Sequence, residues 1–339
     1  MQFQGGKENR KRRLRRLFTS RPFLIWAVCV CAALMLASIF SIARSLRMLR
    51  ALSAAELAAP AGELQTLDPY FVPTPEPTPT PAPTPTPAPT PESPYGWKHR
   101  ADGRVYLRPD GSALTGLHLL DGRLYYFDLT GRCADALGVD VSYHNLGINW
   151  DAVRAQGIEF AVVRLGYRGW ETGLLHEDTR FLQNLRGAKR AGLKVGVYLY
   201  STAVNAAEAE EEASRVLGAL NGFPLDLPVY FDTEQSGEYP NGRADRLGKA
   251  RRYEVITGFC RVIEAGGYRA GVYSGQNFFK NHVAFRTLSP YAIWLASYTA
   301  RNRLPDFPYD YGMWQFTDRA VVSGIRGVAD LNAVFGPLP

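Results

Sequence analysis

With 339 residues, the chain exceeds one average domain, yet a single barrel fold can take well over half of that length. The formal charge of +7 would suit a nucleic-acid partner if it were spread evenly, but residues 1–50 hold 11 of the 39 basic residues and one of the 32 acids. Residues 51–339 carry 28 basic against 31 acidic residues, a net −3, which excludes an extended basic surface for DNA or RNA.

Residues 1–22 form a basic tail with eight Lys or Arg and the single acid Glu8, followed by 21 uncharged residues, Phe23 to Ala43. That pattern predicts a transmembrane anchor with a cytoplasmic N-terminus and an extracellular C-terminal bulk, since the positive flank stays inside. The apolar stretch is longer than a usual signal-peptide core and no clear A-x-A site closes it, which favours an uncleaved anchor over a cleaved leader. The expected location is therefore a bacterial cell membrane, crossed once. Residues 44–94 read as a stalk that passes into a Pro/Thr-rich linker. Proline at nearly every second position from Val72 to Pro94 excludes helix and sheet, and at about 3.1 Å per residue an extended chain would reach roughly 70 Å.

Residues 95–135 contain two similar units, DGRVYLRPDGSALTG and DGRLYYFDLTGRCAD, each a D-G turn, an aromatic strand and a second glycine turn. They predict a small β-hairpin module, and its spacing resembles the aromatic, glycine-rich repeats of bacterial cell-wall-binding modules. Two copies fall short of the three or more that a solenoid usually needs, so a hairpin cap packed on the following domain is the alternative to wall binding. Cys133 and Cys260 are the only cysteines beyond the apolar span. They could pair, although Cys260 lies in an apolar helical pattern that suits a buried free thiol.

From residue 136 to 339 strand and helix signals alternate. Apolar strands are predicted over 137–142, 160–167, 194–201, 227–234, 268–274, 292–298, 311–317 and 327–332, with helices over 150–156, 179–191, 206–220 and 246–266. The fold class is α/β: an eight-stranded β/α barrel, TIM-like, with helices missing around the last strands and chemistry expected at the C-terminal strand ends. The most informative stretch is LPVYFDTEQ, a buried apolar run ending in Asp232 and Glu234. Side chains alternate along a strand, so acids at i and i+2 share a face, and their repulsion should raise one pKa and leave a protonated acid beside an anion. Glycosidic bond cleavage needs that pair. Asp140, Gln315, Asp330 and Asn332 are expected at the same rim, and Tyr198, Tyr200, Tyr273, Trp294, Tyr298 and Trp314 offer ring faces of the kind that bind sugars. No paired Cys/His or H-x-x-E-H spacing indicates a metal, and no cofactor is expected.

GVDVSYHNLGINWDAV, GIEFAVVRLGYRG, AKRAGLKVGVYLYS, PVYFDTEQ, YSG, WLASY, MWQFT and GVADLN, in this order, resemble the glycoside hydrolase family 25 lysozymes. The resemblance implies an N-acetylmuramidase that cleaves the β-1,4 bond between N-acetylmuramic acid and N-acetylglucosamine in peptidoglycan, without metal or cofactor. It also implies Glu234 as general acid, Asp232 as its partner carboxylate, and Asp140 and Asp330 as supporting acids. The chain departs from the family at Tyr143, His144 and Asn145, where H-H-Q is frequent, and at Arg164, Leu165 and Gly166, where Lys-Ala-Thr is common. His144 is expected to orient Asp140 or cap a loop. Two other functions remain open: a non-catalytic glycan-binding protein, against which all four acids being present argues, and a chitin-directed glycosidase.

Overall fold

The computed structural model describes residues 93–236, 240–288, 290–299 and 303–339. The basic tail, the predicted span and almost the whole stalk and linker lie outside the described residues, among which no helix is long and apolar enough to cross a membrane. Ala88–Pro339 forms one compact unit, which contains everything described.

Two hairpins come first. Strand β1 (Gly96–Arg100) pairs with β2 (Gly103–Leu107), and β3 (Gly116–Leu120) pairs with β4 (Arg123–Phe127), both antiparallel. Asp121 and Gly122 close the second hairpin at φ 48° and 77°, the positive-φ pair that a two-residue turn matching strand twist requires. Each hairpin is followed by one further bridge, Leu107 to Ala113 and Phe127 to Cys133, so the sequence repeat is also a structural repeat. Trp97, Tyr106 and Tyr125 pack on a small core of Leu114, Phe127 and Cys133. Alternation along β4 sends Tyr126 the other way, onto the barrel, where its ring lies 4.2 Å from Phe316, 5.5 Å from Trp314 and 6.4 Å from Phe335. The hairpins are thus a cap on the following fold. Cys133 and Cys260 are both free and buried.

Eight strands close the barrel in the order β5 (Ala136–Val141), β6 (Phe160–Arg168), β8 (Lys194–Tyr200), β9 (Val229–Asp232), β10 (Ala270–Gly275), β11 (Ala292–Ala296), β12 (Met313–Ala320) and β13 (Ala329–Val334), which returns to β5. Strand β7 (Leu175–Glu177) adds to β6 outside the ring. Helices α1 (Trp150–Ala155), α2 (Phe181–Arg190), α3 (Ala206–Leu220), α4 (Lys249–Ala265) and α5 (Gln276–His282) fill the gaps before β11. The two gaps after β11 hold none among the described residues, in keeping with the sequence pattern. Strand β7 and helix α5 have no counterpart in the sequence reading. Each is short, with three and seven residues, too few for a periodic signal.

The last strand corrects the sequence reading. Pairings around the ring are parallel from β5 through β12, but β13 runs antiparallel to both β12 and β5. Only residues 321–328 separate β12 from β13, fewer than a parallel crossover needs, so the chain must double back. Asp330 therefore stands at the start of its strand, where reversal delivers it to the rim that the other strands reach with their C-terminal ends.

Strand alternation divides the core. Phe160, Val162, Tyr230, Tyr273, Trp294 and Met313 fill the barrel interior. A larger layer including Val139, Val163, Leu199, Phe231, Val272 and Leu295 packs under the helices. Gly138 is required where it stands, because a Cβ there would enter the ring of Phe160.

Candidate active site

Strand β9 ends at Asp232, two residues before the predicted end, so Glu234 lies in the connection beyond it. The alternation nevertheless continues. Phe231 packs on Phe259 of α4 at 5.0 Å, and the Thr233 hydroxyl accepts from Arg252 of the same helix at 3.2 Å. Those two face the helices, which turns Tyr230, Asp232 and Glu234 inward. Two bonds hold the backbone between the acids: the Thr233 N–H donates to the Tyr273 carbonyl at 3.1 Å, and the Ser274 hydroxyl donates to the Thr233 carbonyl at 2.5 Å.

Asp140 is the hub of a fixed network. Its Oδ2 accepts from the Gln315 amide at 2.9 Å and from the Asn332 amide at 2.8 Å. The Gln315 oxygen accepts from the hydroxyls of Tyr273 and Tyr298, each at 2.9 Å, and the Asn332 oxygen accepts from the Trp294 indole at 2.7 Å. Asp330 pairs across from Asp140 in the β13–β5 register and hydrogen-bonds to it. Burial, and then the charge of Asp140, push Asp330 up to about 9, so Asp330 keeps its proton at neutral pH and shares it with Asp140.

Asp232 is buried, faces Tyr200 and Tyr273 across the sheet registers, and leaves Oδ1 without a hydrogen-bond partner among the described residues. Burial raises its pKa first, followed by Glu234 and Asp140, while Arg164 opposes the shift. Glu234 is exposed and lines a cavity of about 880 Å³. Burial, and then the charge of Asp140, push it up to about 7. The repulsion expected between the i and i+2 acids thus ranks second to burial for Asp232, whereas for Glu234 the carboxylate responsible is Asp140.

The sequence-predicted residues fall into three groups. Asp140, Asp232, Glu234 and Asp330 meet at one rim with Tyr198, Tyr200, Tyr273 and Tyr298, all of which feel the charge of these acids. Tyr273 and Tyr298 line the cavity. Gln315 is central and buried, its amide nitrogen bonding Asp140 and its oxygen taking two tyrosine hydroxyls, which gives it the position of a group that orients an acid. Trp294 and Trp314 cannot offer ring faces to a sugar, being only 1 % exposed each. Trp294 plugs the barrel between Tyr198, Tyr230 and Tyr273, and Trp314 points outward against Tyr126 of the hairpin cap. His144 lies exposed against Tyr143 at 4.0 Å, while Asp140 takes its bonds from amides.

Asn332, expected at the rim beside Asp330, and Arg164, a departure from the family pattern, take roles at the site that the sequence does not state. Asn332 stands beside Asp330 at the end of an apolar run, and only its burial reveals that it bridges Trp294 to Asp140. Asn332→Leu should orphan the indole N–H and remove one of two amide donors to Asp140, at about 1–3 kcal/mol for each buried group left unpaired. A lowered urea midpoint at unchanged m-value is the expected reading.

The description Glycosyl hydrolases family 25 matches residues 139–325. The autolytic lysozyme of Clostridium acetobutylicum is 26% identical over 196 residues, covering 58% of this chain and 54% of that protein. Lysozyme M1 of Streptomyces globisporus is 25% identical over 211 residues, covering 59% of this chain and 67% of that protein. The chain therefore spans little more than half of the first of these relatives. Among solved structures, the modular autolysin LytC of Streptococcus pneumoniae, determined with a synthetic peptidoglycan ligand, superposes with a TM-score of 0.55 at 23% identity, covering 70% of this chain and 57% of that one. That likeness supports the barrel with its flanking segment as a fold. The sequence match, which covers more than half the chain and includes the strands bearing Asp140 and the Asp232–Glu234 pair, gives the conclusion: this chain belongs to glycosyl hydrolases family 25.

Proposed function

We propose that the protein is a peptidoglycan hydrolase, an N-acetylmuramidase that cleaves the β-1,4 bond between N-acetylmuramic acid and N-acetylglucosamine. The observation that carries this reading is the different surroundings of the two central acids. Glu234 opens on the cavity, its pKa pushed up to about 7, whereas Asp232 is buried behind it, its pKa raised by burial, Glu234 and Asp140 against the opposing charge of Arg164. Glu234 then donates a proton to the leaving oxygen, and Asp232, acting in its carboxylate form, stabilises positive charge at the sugar. Asp140 sustains the raised pKa of Glu234 by its charge, and Asp330 holds the proton that keeps Asp140 and itself from ionising together. The names of the two lysozyme relatives and the peptidoglycan ligand of the Streptococcus protein support the substrate.

We further propose that residues 23–43 anchor the chain in a bacterial membrane and that the Pro/Thr-rich linker carries the barrel outward into the wall. The hairpin cap is the part that could add wall affinity. One pair of preparations tests the division of labour. Residues 93–339 should fold, remain in solution and release fragments from purified peptidoglycan, all ending in reducing N-acetylmuramic acid by mass analysis, while the full chain sediments with membranes. Reducing N-acetylglucosamine ends would overturn the bond assignment, and a soluble full chain would overturn the anchor. The fragment starts at 93 because one starting at 138 would remove part of β5 and uncover Trp314, Phe316 and Phe335.

A further inference from the structure

Two buried polar atoms at the rim have no partner among the described residues, and they are complementary. One is Asp232 Oδ1, an acceptor, and the other is Arg164 Nη2, a donor. A buried group left unpaired costs about 1–3 kcal/mol, and such groups persist where a ligand completes them.

Arg164 lies on the inward side of β6, in step with Phe160 and Val162, which fill the barrel. Its register partner on β8 is Tyr198. The guanidinium is held rigidly. Nε donates to Asp178 Oδ2 at 2.9 Å, and Asp178, whose side chain is fully buried, is itself fixed by the N–H groups of Tyr143 and Arg180, each at 2.9 Å. The ring of Tyr143 lies 4.9 Å from the guanidinium carbon and that of Tyr167 lies 5.5 Å away. Only 13% of the side chain is exposed. Its charge is felt by both Asp232 and Tyr198, yet no ion pair within 4.0 Å joins it to Asp232 among the described residues. A fixed donor thus stands near a fixed acceptor without touching it.

We propose that Arg164 is a substrate-binding, specificity-determining residue whose Nη2 donates to a carbonyl or carboxylate oxygen on the 2- or 3-substituent of the sugar seated over Asp232. This rests on the muramidase reading, which supplies a sugar bearing two such groups. The 2-acetamido group offers a carbonyl to Arg164 and an N–H to Asp232 Oδ1, and the 3-lactyl group offers a carbonyl or carboxylate alone. A planar guanidinium can hold Asp178 with one nitrogen and the sugar with another. Lysine, one point donor, cannot do both.

Arg164→Lys keeps the charge and a donor for Asp178. Arg164→Gln, a second variant, keeps a donor without charge. Glycan binding is measured by calorimetry in the Glu234→Gln background, so that it does not depend on turnover. The probes are muramyl tetrasaccharide, its de-N-acetylated form and an N-acetylglucosamine tetramer. Arg164→Lys should weaken muramyl binding about 10- to 100-fold, the size of a hydrogen bond from a charged group, with the thermal midpoint held. Loss of the penalty on the de-N-acetylated probe identifies the acetamido oxygen, and loss of it on the lactyl-free tetramer identifies the lactyl oxygen. An equal penalty on all three, or none on the muramyl probe, overturns the proposal. If wild-type enzyme releases no muramyl ends, the function reading fails separately, because these binding ratios stand without cleavage.

Discussion

Glu234→Gln is expected to lower turnover on peptidoglycan by about 10²- to 10⁴-fold while the barrel stays folded and still binds glycan. The amide preserves the shape of a side chain already accommodated at the cavity wall, but it has no acidic proton for the leaving oxygen. The wild-type pH profile carries the companion expectation. With Glu234 pushed up to about 7, the protonated fraction falls as pH rises through that value, so activity declines on that alkaline limb. In Glu234→Gln the residual activity should lack this limb. Near-normal turnover in the variant, on substrate that the wild type cleaves, would remove Glu234 as the acid.

Asp232→Asn is expected to cost a comparable factor, because the anion that stabilises developing positive charge is lost from a site shielded from water. A second consequence separates electrostatics from shape. Asp232 and Glu234 repel one another when both are charged, so a neutral amide at 232 lets Glu234 ionise at lower pH. The alkaline limb should move acidward. An unmoved limb would mean that the repulsion between the two carboxylates has no effect on the proton donor, leaving burial and Asp140 as the only causes of its raised pKa. A kcal/mol-scale gain in thermal stability from the same substitution would fit the removal of a buried, unpaired carboxylate oxygen, since function and stability pull in opposite directions at such atoms.

The alternation that puts Asp232 and Glu234 on one side, the D-G turns of the hairpins, the proline-rich composition of the linker and the order of strands and helices through α4 are all properties of neighbouring residues. Local sterics and hydrophobic periodicity dictate them, which is why the amino-acid sequence displays them directly. The same locality limits what a sequence can say. Trp294 and Trp314 carry nothing in their neighbourhoods to say that one fills the barrel and the other lies under a hairpin nearly 190 residues earlier in the chain, although both read as sugar platforms. Asp330 reads as the end of a parallel strand, and only the short return from β12 reverses that strand and sets it beside Asp140. Gln315 and Asn332 reach Asp140 across 175 and 192 residues of sequence, and the pKa of Glu234 answers to burial and to Asp140, 94 positions away. Such pairings exist only once the ring of strands has closed. What one strand presents is written in its own residues, whereas which strand ends share a rim, which polar atoms meet there and which are left waiting for a ligand are set by closure of the barrel.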